Sequence, residues 1–489
     1  MGNRKTKKAS TKLKVLARFL WLIALSLTVF FIYELNKINM LPIKYSLILV
    51  GVMIVLILLF GKFVWKKKIG RVFLTFINFL LFIYILVFGY GSLKMKDTIG
   101  FMEKNLGVRF ETNVYYVLVN NDSKYKSIED IKDKTIYSYK DQDDMSEVED
   151  ALNKKVKVNI KYESYVSELL NNLLYDNELV VYVNSGNYDI MVQNNESYMS
   201  QVRILDTVEI KVEKKIERTN VNVTEEPFII FINGIDTRSN SLPSRSLSDV
   251  NMLMVVNPKD YKILLVSIPR DYYLTVPGTG TKDKLTHTGT IGGVSKTKET
   301  LEEAFGISIP YYIRVNFNFV TNLVDSIDGI NIYNDQTYGF TCSSENTCYF
   351  EPEWNYSVDG KCALAFARER YTYETGDRHR GENQQHVIDQ IFKKITSSKT
   401  LITNYSDILN SLNGTFETNI SNDNLSSLVK MQLNDMPEWE IDKYSVDGYG
   451  AYDYTYSYPN QTLYVMIPDD YSMEEAKTKI NNILGKDTN

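Results

Sequence analysis

Three apolar runs near the N-terminus constrain the chain more than any other feature. They are LARFLWLIALSLTVFFIYEL (16–35), YSLILVGVMIVLILLFGKFVW (45–65) and VFLTFINFLLFIYILVFGY (72–90). Each is close to the roughly 20 residues that a bilayer-spanning helix needs, so three transmembrane helices are expected. The tail carries Arg4, Lys5, Lys7, Lys8, Lys12 and Lys14, and the second connection carries Lys66, Lys67, Lys68 and Arg71, whereas the first has only Lys37 and Lys44. By the positive-inside rule the tail and second connection face the cytoplasm, which places everything after about residue 93 outside. An ordinary signal peptide would be a single short cleavable segment, which this is not. MGNRKT fits a myristoylation pattern, but a spanning segment follows that needs no lipid. Orienting charge likewise explains the basic tail better than nucleic-acid binding does.

The 489 residues exceed one typical domain, and the 44% hydrophobic content is concentrated in the anchor. Residues 1–93 form the tail and anchor. Residues 94–218 contain the strand-like segments VYYVLVN, TIYSY, KVNIKY and LVVYV with helical SIEDIKDK and SYVSELLNNLLYD, a small α/β or α+β domain. The polar run KVEKKIERTNVNVTEE (211–226) reads as a boundary. Residues 219–489 then form a second α/β domain, its first strand starting at about Pro227. Cys342 and Cys348 flank SSENT and could close a small disulfide in an oxidising compartment, leaving Cys362 unpaired. The histidines His287, His379 and His386 show no zinc-type spacing with these thiols.

Three buried-strand patterns open the second domain: PFIIFIN (227–233), VNMLMVV (250–256) and KILLVSI (262–268), the last two joined by the turn NPKD. A hairpin about that turn pairs residues whose numbers sum to roughly 517–519, so Asp249 and Arg270 meet at its open end. If the first strand runs parallel to the third, Asp236 reaches the same end. Two carboxylates and an arginine there suit Mg²⁺ and a phosphorylated ligand. The plainer alternative is a set of strand-ending turns with surface ion pairs.

FARERYTYETGDRHRGENQQ (366–385) gathers Arg368, Arg370, Arg378 and Arg380 in a chain of net charge -5. A helix is expected from Asp359, with Arg368 and Arg370 at or just past its end. A second helix is expected to begin at ENQQ, with Gln384 in its first turn and Arg378 and Arg380 in the loop before it. The arginines could simply pair with Glu369, Glu374, Asp377 and Glu382. Helical i to i+4 pairing cannot account for two arginines two residues apart, however, and guanidinium forks match phosphate oxygens. The tyrosine-rich YSVDGYGAYDYTYSYPNQTLY (444–464) could offer sugar-stacking faces, although a hairpin with exposed cross-strand tyrosines explains it as well.

FINGIDTR, SDVNMLMVV, LLVSIPRD, DKLTH and ALAFARERYTYETGDRHRGENQQ, in that order, resemble the LytR-CpsA-Psr family over roughly residues 227–400. The three-helix anchor and the preceding outer domain resemble its capsule-linked CpsA branch. The resemblance implies an α/β catalytic domain with a mixed central sheet flanked by helices, on a multi-pass protein of a bacterial cell membrane. It implies a phosphotransferase that moves a glycopolymer, a capsular polysaccharide, from undecaprenyl diphosphate onto peptidoglycan, with other capsule assembly proteins as further partners. It assigns Mg²⁺ or Mn²⁺ to Asp236 and Asp249, and the diphosphate to Arg270, Arg368, Arg370 and Gln384, with Lys284 and Arg380 beside them. The catalytic set would be Asp249, Asp236, Arg270, Arg368 and Arg370. One departure is Leu247, where the family commonly has an arginine two places before the second aspartate; Arg245 is the nearest substitute. A carrier tail would need an apolar slot, which YYIRVNFNFVTNLV (311–324) could line, although core packing explains the same residues. A diphosphatase would use the same groups with water, and a glycan-binding regulator would need neither the aspartates nor the arginines. A transcriptional regulator would need a DNA-binding element that the short tail does not provide.

Overall fold

The computed structural model describes residues 8–105, 110–140, 145–195, 197–213, 219, 221–236, 242–397, 408 and 411–486. The first charges of the tail, residues 214–218 and 220 of the polar run, and the end of GIDTR lie outside the described residues. Two compact units are present, one comprising residues 1–106, 405–410 and 421–437, the other 107–404, 411–420 and 438–489.

The first unit holds α1 (Thr11–Ile38), α2 (Ile43–Val64) and α3 (Arg71–Asn105), all long and apolar enough to cross a membrane. A helix satisfies its backbone internally, which is the condition for crossing hydrocarbon. Small and aliphatic residues such as Ala17, Ala24, Met53, Leu74 and Leu81 fill the space between the helices, while Phe19, Leu47, Leu58 and Phe76 stay exposed on the outside. That apolar exterior suits lipid. At one end the Ala9 N–H donates to the Ile69 carbonyl (3.1 Å) and Lys14 Nζ to the Lys67 carbonyl (2.9 Å), joining the tail to the second connection. At the other, a helix over Asn422–Asp435 meets the first connection, Ser426 Oγ donating to Ile38 O (3.3 Å) and Lys430 Nζ to Asn39 Oδ1 (2.6 Å).

Among the described residues the second unit contains two large sheets, of five and six strands, and four two-stranded ones. In the inserted domain, β1 (Phe110–Asn120), β2 (Thr135–Tyr139), β3 (Asn159–Glu163), β4 (Val180–Asn184) and β5 (Val202–Glu213) lie in the order β3-β2-β4-β1-β5. Helices α4 (Met145–Lys155), α5 (Val166–Asn172), α6 (Ser185–Asn194) and α7 (Tyr198–Gln201) join them.

The next sheet is built from β6 (Phe228–Gly234), β7 (Val250–Asn257) and β8 (Lys262–Ile268). β7 and β8 pair antiparallel in the expected register, Asn251 opposite Ile268 and Asn257 opposite Lys262, and β6 pairs antiparallel with β7, so it runs parallel to β8. Asn257 Oδ1 closes the hairpin turn by accepting from the N–H groups of Lys259 and Asp260. A short β9 (Tyr273–Thr275) and β10 (Lys282–Lys284) lead to α8 (Leu285–Phe305), β11 (Tyr311–Val315) and α9 (Phe317–Ser326). Then come β12 (Ile330–Asn334), β13 (Phe340–Thr341), β14 (Tyr349–Phe350) and β15 (Glu353–Val358), followed by α10 (Gly360–Arg368) and α11 (Asp377–Thr396). β16 (Phe416–Thr418), β17 (Glu440–Ser445) and the hairpin of β18 (Gly448–Thr455) and β19 (Tyr458–Pro468) complete the strands. The central order is β16-β11-β6-β7-β8-β17, with β11 parallel to β6 and β17 parallel to β8, a mixed sheet as expected.

Strand alternation sorts the side chains of this sheet onto two faces. Phe231, Leu253 and Val266 face α8 and a C-terminal helix over Asp470–Leu484 in a closed core. Ile232, Met254 and Ile313 face α9, α10 and α11 and line a cavity instead.

Two expectations are corrected. The disulfide joins Cys348 to Cys362, and the buried Cys342 is the free thiol. Cys342 instead donates its backbone N–H to the Cys348 carbonyl across the β13–β14 connection, which leaves Cys348 to meet α10. The second helix of the arginine segment starts at Asp377, not at ENQQ, so Arg378 and Arg380 lie in its first turn and Gln384 two turns in. Gly376, at φ 49°, turns the chain sharply into that helix, and Asp377 offsets the arginine charge at its N-terminus.

Candidate functional site

The β7–β8 hairpin brings its open end to one place. Asp249 Oδ1 accepts from Arg270 Nη1 at 2.8 Å, and the Asp249 N–H donates to the Gly234 carbonyl at 2.9 Å. Gly234 is required there, because a Cβ at that position would stand 2.7 Å from Val250 Cβ. Two residues on, Asp236 lies 3.7 Å from Arg368 Nη2.

α10 delivers the next groups. Asp359 caps it, accepting from the Cys362 N–H at 2.8 Å, and nine residues later Arg368 ends it with its guanidinium 4.3 Å above the Phe317 ring. Glu369 is fully buried and accepts from the backbone N–H groups of Ser343, Arg370, Tyr371 and Thr372. This carboxylate folds the turn that aims Arg370 outward. From α11, Arg380 bonds Asp377 (2.9 Å) and Gln384 donates to the Ala367 carbonyl (3.4 Å).

Asp236, Asp249, Arg270, Arg368, Arg370, Arg380 and Gln384 therefore line one cleft of about 240 Å³, together with Phe317, Ser343, Ser344 and Tyr371. Its walls carry four guanidinium groups against two carboxylates. Burial pushes the Arg380 pKa down; Asp377 and Asp249 oppose this, while Arg270 and Arg370 add to it. Burial also works against Arg270, but Asp249 and Asp271 outweigh it and raise its pKa. A cleft that keeps a surplus of crowded guanidinium groups has a place for an anion with several oxygens.

Not every expected residue joins. Lys284 is buried and bonded to Asp271 (3.0 Å), one residue behind Arg270, and does not line the cleft. Arg378 turns away to Asp447 and Glu382. Arg245 lines a different cleft, and Leu247 packs into the apolar cluster of the inserted domain.

Asp236 and Asp249 are hard oxygen donors on the cleft wall, a set that fits Mg²⁺, which is commonly held by one or two carboxylates plus phosphate oxygens and water. Among the described residues no group of three or more His, Cys, Asp or Glu is placed to hold a metal by itself.

Sequence reasoning missed Glu369, which looked like one more surface charge, and Asp189 on α6. Burial, then the charges of Asp249 and Asp236, push the Asp189 carboxyl up to about 7, which sets it electrostatically beside the cleft's carboxylates. No motif marks a charge contributed by a helix of the other domain.

A second cavity of about 280 Å³, almost wholly apolar, opens beside the first and shares Val250, Phe317, Arg368 and Gln384 with it. Ile313, Val315, Phe319, Val320 and Leu323, from the segment expected as core or slot, line it with Val387 and Ile391.

The chain resembles several known proteins. The chain is 33% identical over 227 residues to the polyisoprenyl-teichoic acid–peptidoglycan teichoic acid transferase TagU of Enterococcus faecalis, covering 45% of this chain and 71% of the relative. It is 31% identical over 291 residues to TagU of Bacillus cereus, covering 59% and 88%. The crystal structure of B. subtilis TagV aligns with a TM-score of 0.45 at 25% identity, covering 54% of this chain and 99% of TagV. The LytR_cpsA_psr family signature matches residues 191–482, well over half of the chain, and the protein belongs to that family.

Proposed function

We propose that this protein is a membrane-anchored transferase that takes a glycopolymer from a polyprenyl diphosphate carrier and attaches it to peptidoglycan through a phosphodiester. The observation that carries this reading is the adjacency of the two cavities. An arginine-lined cleft opens directly onto an apolar one, a shape matched by a ligand with a diphosphate head and a hydrocarbon tail. The TagU relatives are named for transfer from a polyisoprenyl-linked polymer to peptidoglycan, which supports the same class. Those relatives are named for teichoic acid. We assign a capsular polysaccharide here because of the three-span anchor and the inserted domain.

In this reading Arg270, Arg368, Arg370 and Arg380 hold the diphosphate oxygens. Their charge stabilises what develops as an acceptor hydroxyl attacks the glycan-bearing phosphorus and the bond to the carrier phosphate breaks. Glu369 and Asp377 keep the forks oriented. Mg²⁺ bound at Asp236 and Asp249 would supply further charge neutralisation. The test is attachment of labelled polymer from a prenyl diphosphate donor to peptidoglycan. Arg370→Ala should abolish it and Arg370→Lys should rescue it poorly, because an ammonium cannot reproduce a bidentate fork. Release of free polymer without attachment would instead identify a diphosphatase.

A further inference from the structure

A further cleft, of about 620 Å³, is formed by the inserted domain, the β9–β10 segment and the β18–β19 hairpin. Tyr165 from the inserted domain and Tyr454 and Tyr456 from the hairpin line it, and these three are 56%, 57% and 40% exposed. Another hollow of about 590 Å³, lined by Tyr137 and Tyr175, continues from it through the shared Ser164 and Tyr165. The hairpin side is held in place. Tyr273 Oη donates to the Tyr454 carbonyl (2.6 Å), and the Ser457 N–H donates to Asp283 Oδ2 (2.7 Å), whose other oxygen bonds the buried His287.

Two of the lining residues carry buried hydroxyls without a partner. Ser167 and Thr455 are 2% and 3% exposed, and neither Ser167 Oγ nor Thr455 Oγ1 has a hydrogen-bond partner among the described residues. Buried polar groups left unpaired cost stability, so one on each side of the cleft, on α5 and on β18, calls for a partner supplied by a ligand. The charges there are mixed, Arg245 and Lys282 against Asp453, unlike the arginine-dominated cleft. Flat aromatic faces together with hydroxyl and amide groups match a sugar ring, which has apolar C–H faces and hydroxyls around its edge.

One helix links this cleft to the carboxylates. The start of α8 does this: Thr290 lines the cleft, and one turn earlier the Thr286 N–H donates to the Arg270 carbonyl (2.8 Å) while the Thr286 carbonyl accepts from the Ser248 N–H (2.9 Å), next to Asp249.

We infer that the tyrosine-lined cleft is a saccharide-binding site that holds a few sugar units of a glycan whose reacting end lies in the arginine cleft. The connection to a reacting end rests on the transfer reading; the affinity for saccharide does not. The glycan could come from the peptidoglycan strand or from the carrier-borne polymer, and the experiment separates the two.

Purified full-length protein in detergent is titrated calorimetrically with peptide-free peptidoglycan glycan strands and, separately, with glycopolymer cleaved from its carrier. The glycan that binds identifies the source. For that glycan the Tyr165→Ala, Tyr456→Ala double variant should bind about tenfold more weakly, with inorganic pyrophosphate binding unchanged. Thr455→Val keeps shape and removes an unpaired hydroxyl, so it should lower glycan affinity with the melting temperature unchanged or raised, which a purely structural role would not produce. Binding of neither glycan to the wild type, or equal binding by wild type and both variants, overturns the inference. Loss of glycan binding in the variants of a protein that transfers nothing would uphold the saccharide site and refute the transfer reading.

Discussion

Asp249 and Arg270 face each other across the open end of the β7–β8 hairpin, joined by a 2.8 Å hydrogen-bonded ion pair whose side chains are 16% and 22% exposed. The register places them there, since Asn251 pairs with Ile268 and each step outward keeps the same sum. A pair this sheltered is costly to break from one side. Asp249→Ala and Arg270→Ala should each destabilise by about 1–3 kcal/mol, and the double variant should lose less than the sum, because removing both leaves no unpaired charge. Strict additivity in chemical denaturation would show that the contact contributes nothing.

The arginine surplus predicts direct anion binding. Inorganic pyrophosphate should raise the melting temperature, by an increment that grows with concentration as binding to the folded state requires. Arg380→Ala should melt no lower than wild type, since it relieves crowding by Arg270 and Arg370, yet it should lose most of the pyrophosphate shift. An undiminished shift in Arg370→Ala and Arg380→Ala would place the anion elsewhere.

The sheet and the anchor were legible in the sequence because both rest on periodicity. Continuous apolar runs give spans, and the turn Asn257 to Asp260 fixes a hairpin register that carries Asp249 to Arg270. The start of α11 was not legible, because DRHR at a helix N-terminus opposes the macrodipole and reads as loop. Asp377 and the contacts of Arg378 to Asp447 and Glu382, which offset that cost, are partly tertiary. The Cys348–Cys362 pairing depends on α10 folding back on the β13–β14 segment, which spacing alone does not show. The tyrosines at 449, 452 and 464 are exposed on the expected hairpin, and only the fold shows Tyr454 and Tyr456 meeting Tyr165.

The disulfide should matter to the site. It ties the 342–348 loop, which presents Ser343 to Glu369, to the helix that ends in Arg368. Cys362→Ser should cost about 3 kcal/mol, the scale for opening a loop of roughly 15 residues, whereas Cys342→Ser should change stability far less. Peptide mapping without reduction should recover Cys348 linked to Cys362. Recovery of Cys342 linked to Cys348 would contradict the pairing.

His386 makes the fold acid-sensitive. Its Nε2 accepts from the Tyr333 N–H at 3.0 Å, and burial, then Lys443, push its pKa down to about 4. The unfolded chain takes up that proton near pH 6.5, before the folded one does, so stability falls as pH drops from about 6.5 toward 4. The loss attributable to this group is at most about 3 kcal/mol. His386→Gln should flatten the melting profile across that window, and a profile that keeps its slope would assign the acid limb to other groups.

The topology can be tested against two independent arguments. Charge asymmetry predicts that the tail and the second connection face the cytoplasm and that residues after the third span lie outside. Hydrogen bonding within the anchor unit groups the same segments: Ala9 meets Ile69 at one end, and the helix over Asn422–Asp435 meets Ile38 and Asn39 at the other. That helix follows β16 in the chain, so the first connection should share a side with the large C-terminal part. A reporter fused after Asn489 should therefore be active only outside the cytoplasm. On intact cells, a membrane-impermeant maleimide should label Asn36→Cys, and should label Lys68→Cys only after permeabilisation. An active cytoplasmic reporter would mean an even number of spans. Labelling of Lys68→Cys from outside with the reporter still external would mean that the charge rule misplaces the second connection, and that one of the three apolar helices does not cross.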